Sequence, residues 1–329
     1  MNGAARLVLL VGAPRSGTTW LQTMLGAHPD VATPQETDLF SRFLQPMLDS
    51  WTREVRGGPD GWAKRRYKGL HSVLTDEEFA TIGRTMLGTV TERAAALKPG
   101  ATVVVEKTPS HSTCADSIAA FAPDAIVVHL VRDGRDAAAS LLAAGRSWGG
   151  WWAPRTTARA ASMWREHVEG ARQCAIANPY LELRYEDLRA DGPAALRRVF
   201  EHCRIPTTPA ECAELLDSFT LDRMAAGDGS IVIGGAFAEA ARERNEPEGF
   251  FGAGGSGSWR EGWTSEDRLT FDAVAGDLLV DLGYEPDRTW AGTETARRRF
   301  ARRVARRRRR SALLGRLGDR GTALERTLP

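Results

Sequence analysis

Residues 12–19, GAPRSGTT, join an apolar run, RLVLLV, to the start of a helical pattern. A turn in that position gathers several backbone N–H groups and the positive end of a helix dipole at one point, which suits a phosphate group. Gly12 and Gly17 occupy the glycine positions of the nucleoside-triphosphate pattern GxxxxGK[ST], but Thr18 stands where that pattern has its lysine. Kinases and ATPases use that lysine and a magnesium ion to manage charge on the β and γ phosphates. Here the positive charge is Arg15, inside the loop, whose fork of donors can reach the oxygens of a tetrahedral anion. Two further cations end apolar runs: Lys107 in TVVVEKTPS and Arg132 in AIVVHLVRDGRDAAAS. A compact ammonium such as Lys107 suits an oxygen on which negative charge develops; the alternative is a salt bridge to Glu106 or a contact with a helix end.

These residues need a scaffold that brings strand ends together. Strand-like runs at RLVLLV, TVVVEK, AIVVHLV and YLELR alternate with helical patterns, which predicts an α/β fold with a parallel central sheet flanked by helices. Ligands of such sheets collect at the carboxyl ends of the strands, where Lys107 and Arg132 fall. A helix is expected from about Asp133, another over roughly 159–177, and a third over Ser265 to Gly283. Residues 40–99 read as a mostly helical insertion over the sheet.

Four segments resemble, in order, motifs of the PAPS-dependent sulfotransferases, where PAPS is 3′-phosphoadenosine 5′-phosphosulfate. PRSGTTW resembles the family's 5′-phosphosulfate loop, and EKTPS is similar to a strand end of the heparan-sulfate branch. VRDGRDAAAS resembles the 3′-phosphate motif, with Arg132 and Ser140 at the family's spacing of eight. FFGAGGSGSWREGWTSEDRLTFD resembles the nucleotide-covering loop of the cytosolic branch. The mixture of cytosolic-branch and tyrosylprotein or heparan-sulfate-branch motifs is that of a bacterial-type member. The resemblance implies the sulfotransferase variant of the P-loop nucleotide-hydrolase fold and an enzyme that moves a sulfuryl group from PAPS to a hydroxyl. It implies PAP (3′-phosphoadenosine 5′-phosphate) as product and no metal.

Carried over residue by residue, the resemblance puts Arg15, Ser16, Gly17, Thr18 and Thr19 on the 5′-phosphate, and Arg132 with Ser140 on the 3′-phosphate. It puts Tyr185 in the adenine pocket and Gly257, Ser258, Trp259 and Arg260 over the nucleotide. Trp20 falls on the adenine face, a core aromatic being the competing reading. Lys107 would stabilise the leaving phosphate. For the base, Glu36 lies 21 residues after Arg15, where tyrosylprotein-type and trehalose-type members carry a glutamate. Partial burial would raise such a carboxylate toward working pH. His111 is the rival, since imidazole titrates near neutrality. The cytosolic-branch histidine sits two residues after the lysine, where this chain has Pro109, and His111 is four residues on. A second departure is Gly252 and Ala253, which replace the arginine and lysine of RKGxxGDW. The Gly-rich run 252–257 is expected to be mobile when empty and ordered over nucleotide. A nucleotide-kinase-like phosphotransferase is the alternative function, and it would need a lysine at Thr18.

The chain has 329 residues, 42% hydrophobic and 26% charged, an ordinary globular balance. Its net charge of +2 conceals an acidic body and a basic end, for residues 297–329 hold 13 Arg against Asp319 and Glu325. That end has apolar residues among its arginines and reads as an extension, helical or disordered, after a domain of residues 1–292. A basic amphipathic helix there could meet an anionic membrane surface or an acidic carrier, and nucleic acid is not the expected partner. Cys114, Cys174, Cys203 and Cys212 lack metal-site spacing and are expected as reduced thiols. No apolar run approaches the roughly 20 residues of a membrane span, and the amino terminus does not read as a signal peptide, so a cytoplasmic protein is expected, in part peripheral at a membrane. The acceptor is expected to be a small molecule, saccharide or lipid. Trp51 and Trp62 in the insertion, with the tryptophans of SWGGWWAP (147–154), are candidates to stack on it.

Overall fold

The computed structural model describes residues 5–56, 69–225, 250 and 255–306. Five strands form one sheet: β1 (Arg6–Val11), β2 (Val31–Ala32), β3 (Val103–Lys107), β4 (Ile126–Val131) and β5 (Tyr180–Arg184). Their order is β2-β3-β1-β4-β5 and every pairing is parallel. The β-branched character of β3 and β4 follows from this position, since both strands are buried along their whole length. The register sets Leu10 of β1 opposite Lys107 on one side and Val128 on the other. The chain leaves β1 for β2 and β3 on one flank and later takes β4 and β5 to the other. The strand order therefore reverses at β1, and its carboxyl end opens onto the crevice where such sheets hold ligands.

Eight helices position the site: α1 (Thr18–Ala27), α2 (Gln45–Arg56), α3 (Asp76–Ala95), α4 (Ala115–Phe121), α5 (Gly134–Arg146), α6 (Thr157–Gln173), α7 (Tyr185–Ala190) and α8 (Gly192–His202). One face of the sheet, with Leu10, Val105 and Val128, packs against Leu21 and Leu25 of α1 and Leu196 and Phe200 of α8. The other face, with Leu9, Val11 and Val127, packs against Phe40, Trp51, Phe79 and Phe121. The expected insertion over 40–99 is present as a turn of π-helix at Leu39–Leu44, followed by α2 and α3. A reciprocal Thr75–Glu78 capping box starts α3. Trp51 stacks on Phe79 with ring centroids 4.3 Å apart and so belongs to the core, whereas Trp62 lies outside the described residues.

The chain divides into two compact units, Met1–Ser258 and Trp259–Pro329, where the sequence suggested a boundary near 292. In the second unit, a Thr264–Asp267 capping box opens the helix Ser265–Asp281, and Trp263 and Trp290 pack on Phe271. Residues 294–306 are helical, and the end of the arginine-rich tail lies outside the described residues. All four cysteines are buried and free, and burial pushes the Cys114 and Cys174 thiols up to about 11. Among the described residues no helix is long and apolar enough to cross a membrane.

Candidate active site

The loop after β1 turns sharply at Arg15 (φ 73°) and Gly17 (φ 92°), and Gly17 caps α1 without any side-chain hydrogen bond. Among the described residues no side chain therefore caps the first N–H groups of α1, which remain available to an anion. Glycine at 17 is required twice over. Its backbone is left-handed, and a Cβ would stand 2.7 Å from the Tyr185 ring. Ser16 is fully buried, and among the described residues its Oγ has no hydrogen-bond partner. Tyr185, the first residue of α7, meets Trp20 edge-on at 5.9 Å, and burial raises its phenol. Trp20 donates Nε1–H to the Phe219 carbonyl at 2.6 Å while it also lines the cavity beside the loop. Trp20 is thus a core aromatic whose ring also borders the cavity.

At the end of β3, side-chain alternation sends Glu106 and Lys107 to opposite faces of the sheet. Buried Lys107 forms an ion pair with Glu36 and lies 3.4 Å from Thr19 Oγ1. Glu106 is not its partner. The Glu106 carboxylate accepts from the Thr37 N–H at 3.1 Å, the Thr37 hydroxyl at 2.8 Å and the Thr108 hydroxyl at 2.6 Å. Its other oxygen faces His111 Nδ1 at 2.8 Å. These contacts hold the Glu106 carboxyl below its ordinary range even though burial opposes ionisation. Glu106 thus ties down the residue next to Glu36, and the Glu36 carboxylate stays 43% exposed at the cavity wall. This position at the rim leaves Glu36 reachable from the cavity. His111 is placed differently from the sequence expectation. It is fully buried, Nε2 accepts from the Phe40 N–H at 3.2 Å, and the ring is committed to the core and does not line the cavity.

Across the crevice, at the end of β4, Arg132 donates to the Arg15 carbonyl at 3.1 Å and the Gly255 carbonyl at 3.2 Å, with its guanidinium over the Tyr185 ring. Arg132 Nε is buried and has no partner among the described residues. Ser140 is brought to the same place, but its hydroxyl accepts from Arg15 Nε at 3.0 Å and not from Arg132. Arg15 also donates to the Phe250 carbonyl and lies against the Trp148 and Phe250 rings. Asp136, in the first turn of α5 and nearly fully buried, accepts from the Gly257 N–H at 2.7 Å and the Ser258 hydroxyl at 2.9 Å. Trp259 and Arg260 begin the second unit, where Trp259 packs on Trp263 and Trp290 and the Arg260 guanidinium stacks on Trp259. Gly252 and Ala253 lie outside the described residues.

Arg15, Thr18, Thr19, Trp20, Glu36, Arg132, Ser140, Tyr185 and Ser258 all line one cavity of about 850 Å³. The lining also includes Trp148, Trp152 and His167, of which the tryptophans carried a signal in SWGGWWAP and His167 carried none. Desolvation pushes the His167 imidazole down to about 4. Two buried polar atoms, Ser16 Oγ and Arg132 Nε, have no hydrogen-bond partner among the described residues, and Thr18, Thr19, Arg15 and Arg132 add donors along the cavity. That donor set fits a ligand with anionic groups at two places, as a bisphosphorylated nucleotide has. Among the described residues no cluster of three or more His, Cys, Asp or Glu could hold a metal.

Residues 8–209 match the model of the sulfotransferase family. The chain belongs to that family. Among relatives of this sulfotransferase, the nodulation protein NoeE of Sinorhizobium fredii is 28% identical over 323 residues, covering 89% of this chain and 72% of NoeE. Mouse protein-tyrosine sulfotransferase 1 is 28% identical over 136 residues, 41% of this chain and 34% of that protein. Among solved structures, mouse sulfotransferase SULT7A1 complexed with PAP aligns over 93% of this chain and 90% of its own, with a TM-score of 0.51 and 14% identity. At that identity the match speaks for the sulfotransferase fold.

Proposed function

We propose that this sulfotransferase moves a sulfuryl group from PAPS to a hydroxyl of a small molecule, saccharide or lipid in the cytoplasm. The observation that carries the reading is one cavity lined by Arg15, Thr18 and Thr19 of the loop and α1 together with Arg132 and Ser140, with buried Lys107 3.4 Å from Thr19 Oγ1. PAPS, when bound, supplies the sulfuryl group on its 5′-phosphate and departs as PAP. Ser16 Oγ and the N–H groups of Thr18 and Thr19 hold the 5′-phosphate, and Lys107 Nζ takes up the charge that develops there as the bond to sulfur breaks. Arg132 and Ser140 hold the 3′-phosphate that ATP lacks. The Glu36 carboxylate accepts the proton of the attacking hydroxyl as its oxygen bonds to sulfur. The Lys107–Glu36 ion pair keeps base and leaving-group cation within contact distance, so the hydroxyl enters beside both.

Calorimetry with the full chain tests the donor. PAP binds at least about tenfold more tightly than ATP if a 3′-phosphate gains one charge-assisted contact at Arg132, and equal affinities reject the reading. Radiolabelled PAPS offered with saccharides, phenols and lipid alcohols then identifies the acceptor. Glu36→Gln leaves PAP affinity unchanged and lowers transfer by about a hundredfold or more; full turnover in this variant removes Glu36 as the base.

A further inference from the structure

His167 of α6 lines the same cavity as Glu36 and lies in none of the four motif segments. Its Nδ1 stands 3.1 Å from the Pro109 carbonyl and 2.6 Å from Ser112 Oγ. The carbonyl can only accept, and the Ser112 hydroxyl spends its own hydrogen on that same carbonyl at 2.8 Å. Both neighbours therefore call for a hydrogen on Nδ1, which leaves Nε2 as a lone pair. Among the described residues no hydrogen bond engages Nε2. Pro109 and Ser112 belong to the short turn that follows Lys107, so the ring is held in register with the end of β3.

Besides Asp38 and Asp136, whose carboxylates are held by Ser41, Arg42, Gly257 and Ser258, the cavity lining includes the Glu36 carboxylate and the His167 ring as hydrogen-bond acceptors. An attacking hydroxyl has one hydrogen, and in the sulfuryl-transfer reading that hydrogen goes to Glu36. A second acceptor facing the same substrate calls for a second donor on it. We infer that His167 Nε2 is a specificity-determining group that accepts a hydrogen bond from a second, non-reacting hydroxyl of the acceptor, so that the enzyme takes polyhydroxylated acceptors over simple alcohols. A monohydric acceptor would cover Nε2 without pairing it, and a site built around a substrate hydroxyl discriminates strongly against analogues that lack it. The neutral ring does this without adding charge to a cavity that must also admit an anionic donor.

The inference rests on the sulfuryl-transfer reading, and the experiment separates the two. PAP calorimetry first checks the donor site, and wild-type protein that fails to bind PAP defeats the underlying reading. Transfer from radiolabelled PAPS is then measured to glycerol and to propan-1-ol, both small enough for the cavity. The wild type is expected to favour glycerol by about tenfold or more in kcat/KM, beyond the statistical advantage of three hydroxyls. His167→Leu, with PAP affinity retained, should abolish the preference by losing glycerol turnover, and His167→Gln, which places a carbonyl near Nε2, should restore part of it. An unchanged preference in His167→Leu overturns the assignment, as does a loss of PAP binding in that variant. Nitrogen-15 spectra of the histidines provide a readout independent of turnover: Nδ1–H with bare Nε2 at His167 is expected, and a proton on Nε2 overturns the assignment.

Discussion

Arg132 draws its importance from being committed on two sides and free on the third. Two N–H groups are used on the Arg15 and Gly255 carbonyls, the guanidinium plane lies on Tyr185, and Nε has no partner among the described residues. A side chain held in this way loses little freedom when it meets a phosphate, and a charged hydrogen bond of this kind contributes about 1.5–3 kcal/mol. Arg132→Ala should therefore weaken PAP by about ten- to a hundredfold and leave AMP, which lacks the 3′-phosphate, within about threefold. Titration of both nucleotides measures the difference, and equal losses would place Arg132 in general support of the fold. The strand-end cations and the loop glycines were legible in the sequence because a phosphate loop acts through local backbone geometry, which local spacing records. Glu106 and His167 were not. Their roles arise where Glu106 meets Thr37, 69 residues away, and His167 meets Ser112, 55 residues away, and no local pattern marks either meeting. His111 misled for the same reason, since the Phe40 N–H that occupies its Nε2 comes from a distant turn.

At the scale of elements, the segment 255–258 depends on α5. Asp136 takes the Gly257 N–H and the Ser258 hydroxyl with separate oxygens, and these bonds bring the segment to the same cavity wall as Arg132. Asp136→Ala removes both bonds and leaves buried space at the base of α5. PAP affinity should fall by about tenfold, and limited proteolysis should cut near 255–258 faster than in the wild type, while Asp136→Asn, which keeps one acceptor oxygen, should be intermediate. Equal cleavage in all three proteins would mean that α5 does not anchor the segment. The longer elements were read from sequence with modest error: β3 and β4 from continuous β-branched runs, α5 from the residue after its Asp133 cap, and α6 two residues earlier than expected. β2 was missed because two residues, Val31–Ala32, carry no periodicity and become a strand only through pairing with Val103 and Val104.

For the molecule as a whole, the consequence of burying histidines is a stability that depends on pH. In the first unit His129 and His202 are pushed down by desolvation, and His167 is lowered from its ordinary 6.5 to about 4. Between those two values the unfolded chain binds a proton at position 167 that the folded chain does not, so stability rises with pH there and is lost as pH falls from about 6.5 toward 4. Glu182, held low by Arg172 and His129 against the cost of burial, works in the same direction, but its window opens only as pH drops below the ordinary carboxylate range near 4.5. The two contributions are therefore separable. His167 borders the cavity and is partly screened by water, so its share is on the order of 1 kcal/mol between pH 7 and 5. Urea midpoints measured over that interval should decline in the wild type and decline less in His167→Gln, with the two curves converging in slope above pH 7. If the variant keeps the wild-type slope between pH 7 and 5, the imidazole is not held neutral by the fold, and the lone pair assigned to Nε2 loses its physical basis.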